Sequence, residues 1–473
     1  LQSLLMCPPP TDAPLHSMLP IDRVFSLVGH GTIVTGTLLG HDLNVGAQAV
    51  VQPSGLPVTL RGLQSRSQER VTVHAGERVA VNLRGAAVAV ADIPRGSVLC
   101  LSHTMQPSEC IDAHVHLNPT SAPLKHMEEV RILFGTTNVV ATVRLFGGGQ
   151  FQGGQSGHVQ LRLSKAIVGF AGQRAILRRL SPAQTLGGVV FLDPQAKATR
   201  SSDASRFAVL AAALTGSPEK LATALCAAQR GATRLTDVAR LSRMPPASTA
   251  TALKSSFINL GDDWLAATQD VEDCKADMLR ALGAYHAAHP LRMGAPHSVT
   301  TLPAFSPHLF KYVEDTLIRD QHIRRLGNTH ALITHDPIAL LGDAQKQRLH
   351  DLEAGFLSTG VTSAPQANAY HDTDADLIAL LVQVGTLVSL NNVSLKQILL
   401  FHTDALDTAA NTLRLSFPAP IRFTTSQARN ALRTSRRIIV PVLEHFDTSG
   451  ITAADGDTRH ITAALPVSPV LPT

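Results

Sequence analysis

The apolar and polar positions follow two periods, and the change from one to the other comes once, near residue 194. Before it, short runs rich in Val, Ile, Leu and Thr recur between turn signals, at 47–52, 58–63, 71–75, 78–83 and 97–101, then at 110–117, 130–134, 137–145, 158–163, 174–180 and 188–192. Runs of that length bounded by Gly, Pro, Asn and Asp predict strands. Leu19 to Leu38 is the most sharply drawn pair, two β-rich runs around Gly29-His30-Gly31, whose glycines supply the positive φ that a tight hairpin requires. Apolar residues stand there at both parities: Ile21, Phe25, Leu27 and Ile33 on one, Val24, Val34 and Leu38 on the other. That suits a closed, curved sheet better than a flat sheet with one wet face. Two all-β barrels are predicted, over 19–108 and 109–195, preceded by a linker over 1–18.

After Pro194 the chain becomes Ala-rich and helical in period, with a boundary at 193–202 and helix beginning near Ser205. In LTDVARLSRMPPASTATALKSSFINLGDDWLAA, Leu235, Val238 and Ala239 make one helical face, Met244-Pro245-Pro246 breaks it, and a second helix runs through Leu253. Gly261-Asp262-Asp263 then turns a hairpin, which completes a winged-helix pattern. Similar units are expected over 203–269, 270–337, 338–401 and 402–465, with a disordered tail over 466–473. Phe356 to Asp372 follows the helix–turn–helix pattern poorly. The fold class is therefore multidomain: two all-β barrels followed by an array of winged-helix (α+β) domains.

The 473 residues are 16% charged, and no apolar run reaches the roughly 18 residues that span a bilayer, so no membrane segment is expected. Five cysteines, an odd number without a CxxC pair, argue against a disulfide framework or zinc cluster and fit a reducing cytoplasm. His114 and His116 share a strand face, but no further ligand is evident and no metal is expected. Gly147-Gly148-Gly149 and Gly153-Gly154 read as a hairpin loop; no GxxxxGK[ST] run occurs, so no nucleotide cofactor is expected in this chain. The first residue, Leu1, suggests a fragment.

The net charge of +5 is mild, but its distribution is not. Between Thr408 and Leu443 stand Arg414, Arg422, Arg429, Arg433, Arg436 and Arg437 without one Asp or Glu, a block that attracts phosphate. Thr424 to Leu432 predicts one helix and Ser435 to Asp447 the next, with Ile439, Val442, Leu443 and Phe446 as its buried stripe. Arg436 and Arg437 then occupy the first turn and point outward, where backbone N–H groups also favour an anion. Pro441 inside that helix costs about 3 kcal/mol or bends it.

Several stretches resemble one family. PIDRVFSLVGHGTIVTGTL with LLGHDLNVGAQAVVQP resembles the second domain of translational GTPases, most closely the selenocysteine-specific elongation factors. GQSGHVQLRL and RAILRRLSPAQTLGGVVFLDP resemble their third domain, and ALRTSRRIIVPVLEHFDTSGITAADGDTRHI their final winged helix. The resemblance implies a translation factor that binds selenocysteinyl-tRNA through its barrels, an mRNA stem-loop through the last winged helix, and the ribosome, as a cytoplasmic monomer. It places Asp22, Arg23, His30 and Arg84 around the aminoacyl group, where guanidinium donors favour an ionised selenol over a serine hydroxyl. Arg23 and Arg84 read equally well as solvated barrel residues. Lys125-His126, in PLKH, is a further candidate tRNA contact. For RNA the implied residues are Arg429, Arg433, Ser435, Arg436, Arg437 and Arg459, although the wing has Ala453-Ala454 where the family is basic. GTP and Mg²⁺ belong to a domain that precedes the first barrel in the family, so this chain is not expected to be an enzyme alone. The helix–turn–helix pattern also fits a DNA-binding winged-helix regulator with barrel domains, and, remotely, the histidines a metalloenzyme.

Overall fold

The structure, a computed structural model, describes residues 16–28, 31–85, 89–101, 105–364, 372–393 and 395–462. His30, most of the expected linker and the expected tail lie outside them. Two compact units divide the chain, one formed by the residues up to Cys274 with Pro303–Tyr312, the other by Lys275–Leu302 and the residues from Val313 onward.

In the first unit, the strands Gln48–Gln52, Val98–Cys100, Met18–Leu27, Gly31–Thr37, Arg78–Arg84 and Leu56–Ser65 pair in that order, and the last returns to the first, closing a six-stranded ring. Leu19, Ile21, Val34, Leu60, Val81 and Leu99 fill it. The opening hairpin pairs Leu27 with Gly31 and Arg23 with Thr35. Its tip departs from the expectation of burial at both parities: Phe25 and Leu27 are 37% and 48% exposed, because the hairpin runs past the end of the core. The second barrel closes as Ser108–Leu117, Ser156–Ile167, Thr137–Leu145, Glu129–Phe134, Arg174–Arg179 and Thr185–Asp193. Ile111, Ala113, Val115 and Leu117 alternate into its core, as the two-residue strand period dictates.

The helices Ala204–Thr215, Pro218–Ala228, Leu235–Ser242 and Pro246–Leu253 follow, with the three-stranded sheet Thr233–Arg234, Trp264–Ala267 and Phe257–Gly261. Asp203 caps the first helix by accepting from the Arg206 N–H at 3.0 Å, and Gly216 ends it at φ 71°. The helical core includes Phe146 and Leu192 of the second barrel, so the chain boundary at 193–202 does not separate two cores. A buried ion network reinforces this junction. Arg206 reaches Asp112 and Asp193 at 2.7 Å each, and Arg240 reaches Asp193 at 2.6 Å. Burial pushes the Asp193 carboxyl up, but the Arg240 and Arg206 guanidiniums outweigh it and hold it below the ordinary carboxylate range. At Asp112 burial wins over Arg206 and the carboxyl is raised.

The second unit holds three small sheets. Ala295–Pro296, Thr329–Leu332 and Ile323–Leu326 form one, the hairpin Leu387–Asn392 with Gln397–His402 another, and Arg422–Thr424, Thr458–Ile461 and Thr452–Asp455 the third. The middle hairpin has no third strand among the described residues and is buried on both faces. Leu387 and Leu400 pack with Leu352, Phe356 and Leu381 of the helices Asp343–Thr359 and Asp372–Val384. Leu399 and Phe401 pack instead with Leu413, Phe423, Ile439 and Phe446. The boundary expected at 401/402 therefore cuts through a shared core, because alternate side chains of one strand serve two sets of helices. The region expected as one unit at 270–337 contributes Pro303–Tyr312 to the first unit.

Candidate RNA interface

The helices Thr425–Ala431 and Arg436–Thr448 form the last helix–turn–helix. Thr424 opens the first with a capping box in which its hydroxyl accepts from the Gln427 N–H and the Gln427 side chain accepts from the Thr424 N–H. The turn ends in Arg433 at φ 48°, and Ser435 caps the second helix in extended conformation without a side-chain hydrogen bond. The N–H groups of Ile438 and Ile439 both bond the Ser435 carbonyl, at 3.1 and 3.0 Å, and close the first turn. Ile438, Ile439, Val442, Leu443 and Phe446 are buried, one residue more than the expected stripe.

Pro441 lacks the N–H that would bond the Arg437 carbonyl four residues back. Asn392, 5% exposed on the preceding hairpin, supplies the missing donor: its side-chain amide reaches that carbonyl at 2.7 Å. The same region fixes the turn, since Thr434 Oγ1 donates to the Val361 carbonyl at 2.5 Å and Arg437 Nη2 to the Ala364 carbonyl at 2.9 Å.

These contacts sort the expected RNA residues. Arg437 does not point outward; it is turned back onto Ala364. Arg459 is likewise engaged, its Nε 2.8 Å from Asp447 and its Nη1 3.3 Å from the Thr425 hydroxyl. Arg422 pairs with Asp455 at 2.5 Å, so acids from outside the acid-free stretch neutralise part of it. Arg429 donates to Ser426 and Asn430 of its own helix and has no ion pair among the described residues. Arg433, Ser435 and Arg436 are exposed at the helix start, and neither arginine has an ion pair among the described residues. The interface narrows to the helix start. The wing carries Asp455 and Asp457, which oppose phosphate.

On the first barrel the expected aminoacyl residues do not converge on one point. The Asp22 carboxylate binds Arg78 Nη1 at 2.5 Å and accepts from the Thr35 hydroxyl at 2.6 Å. Burial pushes the Asp22 carboxyl up, but the bonds from Arg78 and Thr35 and the charges of Arg78 and Arg23 together outweigh it and hold the carboxyl below the ordinary range. Arg23 lies level with Thr35 and Ala80, whereas Arg84 stands four positions further along the same strand, roughly 13 Å at the usual strand rise. Both are exposed, without ion pairs among the described residues, and Arg84 sits at the end of the barrel where Phe25 and Leu27 are also exposed.

One signal on the second barrel is absent from the periodicity. Arg131 and Arg178 are exposed and directly opposite each other on adjacent strands, a like-charge pairing that is unfavourable unless an anion is near. Lys125 is exposed on the short strand Leu124–Lys125, opposite Gln150, while His126 accepts from the Leu145 N–H at 3.1 Å and is structural. His116 bonds Ser156 at 2.6 Å and His114 faces His158 at 3.4 Å, with no third ligand beside them among the described residues. Gly147, Gly148 and Gly149 all take positive φ in the loop between Thr137–Leu145 and Gln150–Phe151.

Comparison with known proteins places this architecture. Residues 421–461 match a family model described as "Elongation factor SelB, winged helix", and residues 111–198 match "Selenocysteine-specific elongation factor, beta-barrel domain". The selenocysteine-specific elongation factor of Desulfomicrobium baculatum is 29% identical over 466 residues, covering 94% of this chain and 71% of the relative. That of Escherichia coli (strain K12) is 27% identical over 241 residues, covering 50% and 37%. A crystal structure of a bacterial selenocysteine-specific elongation factor, EF-Sec, shares the fold with a TM-score of 0.54 at 17% identity, over 98% of this chain and 72% of that one.

Proposed function

We propose, from the premise that the chain is a homologue of the selenocysteine-specific elongation factors, that it acts in the delivery of selenocysteine at a recoded UGA codon. In this reading the two barrels hold selenocysteinyl-tRNA and the last winged-helix unit grips a hairpin in the messenger. The observation that carries it is the start of the Arg436–Thr448 helix. Two exposed guanidiniums, Arg433 and Arg436, which have no ion pair among the described residues, flank the exposed Ser435, whose side chain makes no capping bond. Backbone N–H groups and guanidiniums together bind phosphate, and neither alone selects a sequence. Selectivity for RNA then rests on an unpaired base in the hairpin held against this edge. Because the wing is acidic at Asp455 and Asp457, the grip comes from the helix start rather than from the wing.

For the tRNA, Arg131 and Arg178 on the second barrel offer a phosphate position that relieves their mutual repulsion. Arg84, with Arg23 further along, supplies a guanidinium that favours an ionised selenolate over a neutral hydroxyl. The family is one of translational GTPases. The 473 residues contain no GxxxxGK[ST] run, so this stretch by itself neither binds nor hydrolyses GTP.

Competition binding on the full chain at fixed salt is the test. Preference for an RNA stem-loop over duplex DNA supports this function. The reverse preference replaces it with the DNA-binding regulator.

A further inference from the structure

The second unit contains a cluster of histidine and carboxylate that neither nucleic-acid interface uses. His297 opens the short helix His297–Thr300, Glu314 lies on the helix Pro307–Arg319, and His330 stands on the middle strand Thr329–Leu332. One donor atom from each lies within 4.8 Å of the other two. His330 and Glu314 are 1% and 5% exposed, and His297 closes the cluster on the solvent side. His330 Nε2 is 2.7 Å from Glu314 Oε1, an ion pair only when the ring is protonated. The other ring nitrogen is 3.5 Å from the hydroxyl of Thr300, itself fully buried.

We propose that His297, Glu314 and His330 bind a zinc ion, with the fourth position open to water at the His297 edge. Two imidazoles and one carboxylate around a solvent-facing position are the donor set zinc takes with three protein ligands. Ligand atoms on tetrahedral zinc, with bonds of about 2.0–2.1 Å, stand about 3.3 Å apart. The 2.7 Å pair opens by about 0.6 Å, and the widest pair closes by at most about 1.5 Å, shifts that an exposed ring and a glutamate make by torsion. Thr300 fixes the ring through Nδ1, the outer contact that orients a ligating histidine. A plain buried ion pair requires no third donor at the same point. The ion would tie the short helix, the longer helix and the sheet of this unit together.

The test uses the full chain stripped with a chelator and titrated with Zn²⁺ against a chromophoric competitor, alongside His297→Ala, Glu314→Gln and, as a surface control, His350→Ala. The expected result is about one tight site per chain, unchanged in His350→Ala and weakened roughly 10- to 100-fold or more in His297→Ala and Glu314→Gln. His297 is exposed, so its loss leaves the fold intact and makes this variant decisive even if Glu314→Gln unfolds. Absence of a tight site in the wild-type chain overturns the proposal. So does wild-type affinity in His297→Ala, or an equal loss in His350→Ala.

Discussion

The bond from Asn392 to the carbonyl that Pro441 leaves without a helical donor gives the sharpest test of how the helix Arg436–Thr448 is held. In Asn392→Ala the Arg437 carbonyl loses its donor in a buried setting, a cost of about 1–3 kcal/mol. The Leu395 N–H also loses its acceptor, the Asn392 side-chain oxygen at 3.0 Å, for about 1 kcal/mol more. Pro441→Ala restores an N–H at the position from which a regular helix would reach Arg437. The two changes are therefore coupled. Alanine at 441 is expected to cost stability in the wild-type background through lost packing, and to return about 1–2 kcal/mol of the carbonyl term in the Asn392→Ala background. Hydrogen–deuterium exchange of peptides covering Arg436–Thr448 reads this locally. Protection falls roughly 5- to 150-fold in Asn392→Ala, the equivalent of about 1–3 kcal/mol, and recovers partly in the double variant. Unchanged protection in Asn392→Ala, or a double variant that is simply the sum of the two single ones, would refute the reasoning.

Arg433→Ala with Arg436→Ala should flatten the salt dependence of RNA binding by about 1.4–1.8 units without changing stability, whereas Arg437→Ala should destabilise by about 1.5–3 kcal/mol through its lost bond to Ala364; salt titration and chemical unfolding separate the two. Arg131→Ala should weaken tRNA binding yet raise stability by about 0.2–1 kcal/mol, since Arg178 loses a like-charged neighbour, and a loss of stability measured by thermal unfolding would contradict this. Arg84→Ala in a reconstituted factor should weaken selenocysteinyl-tRNA more than seryl-tRNA by about 1.5–3 kcal/mol, and equal losses would make it a general contact. Burial, aided by the neighbouring His114, pushes His158 down to about 4, so the fold holds the ring neutral. The unfolded chain then binds the extra proton first. Stability from this site is full above pH 6.5 and falls as pH drops from 6.5 towards 4, and His158→Gln should flatten that part of the stability–pH profile.

What the sequence determined by itself is local. Runs of strand period between glycine and proline turns placed the strands of both barrels. The helical spans read over 424–432 and 435–447, with the apolar stripe from Ile439 to Phe446, placed the last helix–turn–helix to within a residue or two. Pro441 was legible as a cost, and the acid-free row of arginines as a field. What the tertiary structure decided is which partner each residue meets. Arg436 and Arg437 are adjacent and chemically identical, yet one faces solvent and the other is bonded to a carbonyl 73 residues away. Asn392 answers Pro441 across 45 residues to its Arg437 carbonyl, and Asp112 meets Arg206 across 94. His297, Glu314 and His330 come from three elements whose separation matches no short ligand motif. The hairpin Leu387–Asn392 with Gln397–His402 serves two cores at once, a role that one strand's alternation permits but does not announce. Periodicity and capping depend on neighbours within a few residues, so they are written in the chain. Ion pairing, donor replacement and ligand convergence depend on distances that exist only once the chain has packed.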